Sequence, residues 1–118
     1  SIADLDRHRI LGYGVTGAPF LNRLNAGLTI GRDLKNPRAP AMFVNNITAL
    51  YAAVIAGVGI AVLPDYLIGP DSDLVRLLPD EVMPQLECYL AYTEEVRNVA
   101  RVQAFRDFLV SNAQRWRY

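Results

Sequence analysis

Three polar residues stand directly before an apolar helical pattern: Asn45, Asn46 and Thr48. Their neutral side chains can donate hydrogen bonds to a carboxylate without opposing its charge. The amino terminus of a helix adds unpaired N–H groups and the positive end of a dipole, and both favour an anion. This spacing predicts a binding site for a small anion. An equally good interpretation is that Asn46 only caps the helix and that Thr48 faces solvent.

The periodicity of the residues that follow predicts the helix that would carry this site. They recur at the spacing of one helical face, and they are Ile47, Leu50, Tyr51, Val54, Ile55 and Val58. Gly57 stands where a left-handed residue would end the helix. Ala41–Val44 has the character of a strand, and Gly59–Leu63 is apolar on both faces, as a buried parallel strand is.

Further elements complete an alternation of strands and helices. We predict strands at His8–Gly14, Leu74–Leu78 and Glu87–Tyr92, a helical turn at Pro64–Gly69 and a helix from about Arg97 to Gln114. This order is typical of an α/β fold with an open sheet.

The remaining reactive residue types do not form a pattern of catalysis. Cys88 and His8 are the only residues of their types. We expect Cys88 to pack in its strand as a small hydrophobe and His8 to lie at the surface. The Gly57–Gly59 pair follows a helix and opens a strand, the reverse of the order in a dinucleotide-binding loop. We therefore expect no enzymatic activity, no cofactor and no metal.

The composition excludes several classes of protein. The 118 residues carry 12 basic and 12 acidic side chains, and 52% are hydrophobic. A disordered segment, a nucleic-acid-binding domain and a polybasic membrane binder are all disfavoured. The longest apolar run, Ala49–Leu63, has about 15 residues, fewer than the ~20 of a membrane span. One domain in a reducing, cytoplasmic compartment fits these figures.

The sequence from Val44 to Leu50, followed by Ala53 to Pro64, resembles the effector-binding region of LysR-type transcriptional regulators. Other stretches resemble the family's elements in the family's order: Asp4–Leu11, Leu74–Pro79, Tyr89–Tyr92 and Ala104–Leu109. The resemblance covers most of the chain outside Gly14–Pro40.

The resemblance implies an α/β fold with an open mixed sheet and flanking helices, one lobe of a type II periplasmic-binding-protein-like fold. Residues 1–93 would be the second lobe of the effector-binding domain. Residues 94–118 would be a hinge and a C-terminal helix that returns to the first lobe. Most of the first lobe and an N-terminal winged helix-turn-helix would lie outside this sequence.

The family pattern also implies the site and the partners. The wall of an inter-lobe cleft would bind a small, carboxylate-bearing effector. Its residues would be Asn45, Asn46, Ile47 and Thr48, with Tyr13, Gly14 and Pro64 at neighbouring strand ends. The protein would be a homo-oligomer that contacts DNA only through the N-terminal domain and does not bind membranes. The alternative is a solute-binding domain of a transport system, since that fold is shared.

Overall fold

In the computed structural model, two short parallel strands form the sheet: β1 (Leu11–Tyr13) and β2 (Met42–Val44). Leu11 lies opposite Met42, and Tyr13 lies opposite Val44. A third segment joins the other side of β1 through a parallel bridge between Ile10 and Ile60. β1 therefore lies between β2 and the Ile60 segment.

The structure describes residues 1–14, 19–85 and 87–113. The chain divides into two units, Ser1–Leu86 and Glu87–Tyr118. The predicted helix end at Gln114 lies outside the described residues.

Helix α1 (Ala26–Thr29) is short, and α2 (Ile47–Ile55) is longer. The position of α2 confirms the helix predicted from the apolar periodicity. Asn46 is its N-cap, and Leu50 is fully buried. Gly57, two residues beyond the last helical residue, has a φ of +71°. That left-handed conformation is the one predicted for the residue that ends this helix.

Short 3-10 helices make the remaining connections of the first unit: Ile2–Arg7, Pro19–Asn25 and Asp65–Leu67. The core lies between the first of these, β1 and α1. Leu5, Ile10 and Leu28 are buried there, and Ile30, Ile60 and Leu78 pack against them.

A buried arginine joins the 3-10 helix Ile2–Arg7 to α1 and to the residue that follows α1. Arg38 is only 6% exposed, and its Nε donates to Asp6 Oδ1 at 2.6 Å. Its terminal nitrogens donate to the carbonyl oxygens of Ile30 at 2.6 Å, Gly27 at 3.3 Å and Ile2 at 3.3 Å. A buried guanidinium is stable only with this many acceptors.

Replacing Arg38 by methionine is expected to lower the free energy of unfolding by about 2–3 kcal/mol, because buried carbonyl groups lose their donor. Urea unfolding measures this change. Arg32→Met is the matched control, since Arg32 also pairs with Asp6 at 3.0 Å but is partly exposed. An exposed pair contributes about 0–1 kcal/mol. Equal losses in both variants would contradict the role of Arg38.

The same contacts predict a dependence on pH. Hydrogen bonds from Arg32 and Arg38 hold the pKa of Asp6 below its usual range. A depressed carboxyl pKa stabilises the fold above the unfolded-state value of about 3.9, and this stability is lost as the pH falls below it. Arg38→Met should therefore show a smaller loss of stability on acidification than the wild type.

Two predicted strands are wrong. Leu74–Leu78 and Glu87–Tyr92 have no strand pairing among the described residues. Leu78 has a φ of +53°, which an extended strand does not allow. Cys88 is exposed rather than packed in a strand. The predicted strand Gly59–Leu63 is reduced to the single bridge at Ile60.

The second unit contains a 3-10 helix (Glu94–Val96) and α3 (Ala100–Ala113). Two aromatic residues of α3, Phe105 and Phe108, are 59% and 61% exposed. On the same helix, Arg106 donates to Asp107 Oδ1 at 2.7 Å, and this raises the pKa of Arg106.

Candidate functional site

The carboxyl ends of β1 and β2 bring several of the predicted site residues together. Because the strands are parallel, both end at the same edge of the sheet. The Gly14 amide donates to the Val44 carbonyl at 2.8 Å, and the Tyr13 hydroxyl donates to the Asn45 carbonyl at 3.2 Å. Tyr13, Gly14 and Asn45 therefore lie at one edge, as predicted.

Gly14 is required by how closely these two strand ends approach each other. A Cβ added at residue 14 would lie 3.1 Å from the Cβ of Asn45. Such a contact is tighter than side chains normally make, so an alanine here would separate the two strand ends.

The first turn of α2 continues from this edge. Asn46 Oδ1 accepts hydrogen bonds from the amides of Thr48 at 2.9 Å and Ala49 at 3.0 Å. The capping role of Asn46 is thereby confirmed. The side chains of Asn45 and Thr48 are exposed, and Ile47 is partly exposed.

The charges around this turn suit an anion. The first turn of α2 contains no acidic residue. The partial positive charge of the helix amino terminus is therefore not neutralised within the helix itself. The side chains gathered here are two amides, a hydroxyl and a phenol, which bind and orient a ligand through hydrogen bonds.

The structure links Pro64 to this edge of the sheet less directly than it links Tyr13, Gly14 and Asn45. It lies four residues after Ile60, just as Gly14 lies four residues after the paired Ile10. Among the described residues, the pairing of the two segments ends at the Ile10–Ile60 bridge, so the register does not extend to Pro64. Pro64 is the N-cap residue of the 3-10 helix Asp65–Leu67 and is partly exposed.

A residue that the sequence analysis does not identify also belongs to this edge. Asn25 Oδ1 accepts from the Tyr13 amide at 2.8 Å, and Asn25 Nδ2 donates to the Tyr13 carbonyl at 3.0 Å. An asparagine before a helix signals a cap, yet here the side chain does not cap α1. The sequence contains no signal that would pair it with Tyr13.

Metal binding has no support in the parts of the chain that the structure describes. No three His, Cys, Asp or Glu side chains come together there in a way that could hold an ion. His8 is exposed, as predicted.

With this geometry in place, comparison with known proteins decides the family. Residues 1–114 match the family described as the LysR substrate binding domain. The chain belongs to this family. It is therefore a LysR-type substrate-binding domain with an α/β, type II periplasmic-binding-protein-like fold, as the resemblance predicts.

A relative of this LysR substrate-binding domain is the HTH-type transcriptional regulator PtxR of Pseudomonas aeruginosa. The two are 37% identical over 71 residues, which cover 58% of this chain and 23% of PtxR. The chain thus spans less than a quarter of the length of that relative. No solved structure matches the domain. Within its described residues, no helix combines the length and the apolar character that crossing a bilayer requires.

Proposed function

We propose that this domain senses a small, carboxylate-bearing effector at the carboxyl edge of its sheet. The observation that carries the proposal is the start of α2. Asn45 and Asn46, just before the helix, and Thr48 in its first turn are exposed, and this turn contains no acidic residue. Tyr13 and Gly14 border this turn. Ligands of open α/β sheets bind at this kind of edge.

The expected strength of the interaction between a carboxylate and this helix amino terminus favours a site formed by both lobes. A helix amino terminus stabilises an anion by about 0.3–1 kcal/mol when exposed. Asn46 already occupies the amides of Thr48 and Ala49. This edge alone therefore binds a carboxylate weakly, and the rest of the affinity would come from the first lobe across a cleft.

The proposed mechanism is a shift between two lobe arrangements. In this proposal, residues 1–93 form the second lobe, which supplies one wall of the cleft, and residues 94–118 form the hinge and the returning helix. An effector that contacts both lobes favours one arrangement in proportion to its preference for that arrangement. In the intact, cytoplasmic regulator, this shift would be transmitted to the N-terminal DNA-binding domain. The domain itself senses without catalysis or cofactor.

Oligomerisation is part of the same proposal. Phe105 and Phe108 leave more than half of their surface exposed on α3. Contiguous exposed apolar surface of this kind marks interaction sites. In the intact regulator, the first lobe would cover this face. The homo-oligomer is proposed from the family resemblance and does not rest on Phe105 or Phe108.

The test separates capping from effector binding with two variants. Asn46→Asp keeps the capping oxygen but adds a negative charge, so the domain should stay as stable while carboxylate affinity falls about fivefold. Thr48→Val keeps the shape but removes the hydroxyl, and affinity should fall about threefold. The measurement is the rise in melting temperature with a panel of acetate, pyruvate and benzoate at constant ionic strength.

Two outcomes would contradict this proposal. One is a carboxylate-dependent rise that is equal in wild type, Asn46→Asp and Thr48→Val. The other is no rise with any carboxylate on the panel. Either result would leave Asn46 as a helix cap alone.

A further inference from the structure

We propose that Asn25 is a positioning residue for the effector-binding edge, which it holds in place by pairing with the backbone of Tyr13. The inference deepens the proposed function and rests on it. The carboxamide of Asn25 makes both hydrogen bonds that a neighbouring strand would make with one residue, at 2.8 Å and 3.0 Å.

The position of Asn25 along β1 explains why this pairing is needed. On one side of β1, the segment around Ile60 pairs with the Arg9 carbonyl and the Leu11 amide, both at 2.8 Å. Alternate residues of a strand point their backbone groups to the same side. The amide and carbonyl of Tyr13 therefore point to the same side of β1 as the Arg9 carbonyl and the Leu11 amide. At Tyr13, the side chain of Asn25 supplies the hydrogen-bond partners that a neighbouring strand would supply.

The pairing reaches the site through Tyr13. The Tyr13 hydroxyl donates to the carbonyl of Asn45, the residue before the N-cap of α2. Asn25 thus fixes the backbone of Tyr13, whose side chain contacts Asn45 just before the start of α2. Without the carboxamide, the partly buried amide and carbonyl of Tyr13 lose their partners, and the strand end is free to move.

The chemistry of the pairing requires one donor and one acceptor. An ionised aspartate at position 25 offers only acceptors, and one of its oxygens would face the Tyr13 carbonyl. A protonated aspartic acid has the same donor and acceptor arrangement as the amide. Asn25→Asp should therefore lose the pairing at neutral pH and regain it on acidification, with a carboxyl pKa well above the usual value of about 3.9.

The experiment follows the backbone amide signals of Tyr13, Gly14 and Asn45 by NMR between about pH 7 and about pH 4. In Asn25→Asp, these signals should be displaced at neutral pH and return to the wild-type positions as the pH falls. The matched control is Asn22→Asp, the same change at an exposed position in the same 3-10 helix. Because each variant is compared with itself across pH, general unfolding would affect all signals rather than these three.

An acetate titration at neutral pH tests the positioning role itself. In Asn25→Asp, the affinity reported by the Thr48 amide should fall about threefold, and in Asn22→Asp it should not change. If the Tyr13 amide signal of Asn25→Asp does not return to its wild-type position as the pH falls, the proposed pairing is wrong. An unchanged acetate affinity in Asn25→Asp would overturn the positioning role. No acetate response even in the wild type would contradict the proposed function, and the positioning role would fall with it, while the pH titration would still report the pairing.

Discussion

Replacing Gly59 by alanine is expected to lower the free energy of unfolding by about 3 kcal/mol, because a Cβ at this position would overlap the carbonyl oxygen of Arg9. That oxygen accepts the hydrogen bond from the Ile60 amide at 2.8 Å. The added methyl group would also lie 3.1 Å from a methyl carbon of Leu11. The Ile60 segment would have to move away from β1, and its parallel bridge with Ile10 would break. Among the described residues, no other bridge joins this segment to the sheet.

The control for this substitution is Gly27→Ala. A Cβ at Gly27 would meet Ile10 and Val62 at an ordinary distance of 3.6 Å, and residue 27 lies in helix α1. Alanine is a better helix former than glycine by about 1 kcal/mol, so this variant should be as stable as the wild type or more so. Urea unfolding, followed through the amide signals of β1, measures both variants. Equal stability of Gly59→Ala and Gly27→Ala would contradict the close approach at Gly59.

Truncating Leu50 to alanine is expected to cost about 3 kcal/mol, because the side chain is fully buried beneath α2 and its loss leaves a cavity. Leu50 follows the first turn of α2, which carries Asn46 and Thr48. The same variant should therefore also broaden the amide signals of that turn. Urea unfolding and amide NMR measure the two effects on one sample.

Ile55→Ala is the matched control on the same helix. Ile55 is the last residue of α2 and is 51% exposed, so its truncation should cost less than about 1 kcal/mol. Similar losses for Leu50→Ala and Ile55→Ala would contradict the burial of Leu50 beneath the helix.

The features that the sequence predicts well are those with local causes. The start of α2 depends on Asn46, which caps amides two and three residues away. Its end depends on Gly57, whose positive φ follows from the absence of a side chain. The strands β1 and β2 follow from two apolar segments in an α/β order, although the sequence does not predict their pairing with each other. The effector role of Asn45, Asn46 and Thr48 stays a prediction, because capping explains the observed contacts by itself.

The features that the sequence does not predict depend on distant partners. Asn25 pairs with Tyr13 across 12 residues of chain, and Arg38 pairs with Asp6 across 32. Residue type alone suggests a helix cap for the first and an exposed charge for the second. Only the fold brings their partners within hydrogen-bonding distance.

The incorrect strands have the same cause. Alternation at Glu87–Tyr92 satisfies the period of a strand, but a strand also needs a hydrogen-bonding neighbour. The described residues of the second unit supply none for it. At Leu74–Leu78, the positive φ of Leu78 turns the chain so that this residue packs on the core of the first unit.

An NMR titration of this domain with acetate, compared with acetamide at the same ionic strength, tests whether the amino terminus of α2 binds a carboxylate. Acetamide has nearly the shape of acetate but no charge, so it separates anion binding from general solvent effects. We predict a saturable displacement of the amide signals of Ile47, Thr48, Tyr13 and Gly14 with acetate, and a much smaller one with acetamide. Identical displacements with both compounds, or acetate-dependent changes confined to residues away from this edge, would contradict the effector-binding role of the α2 amino terminus.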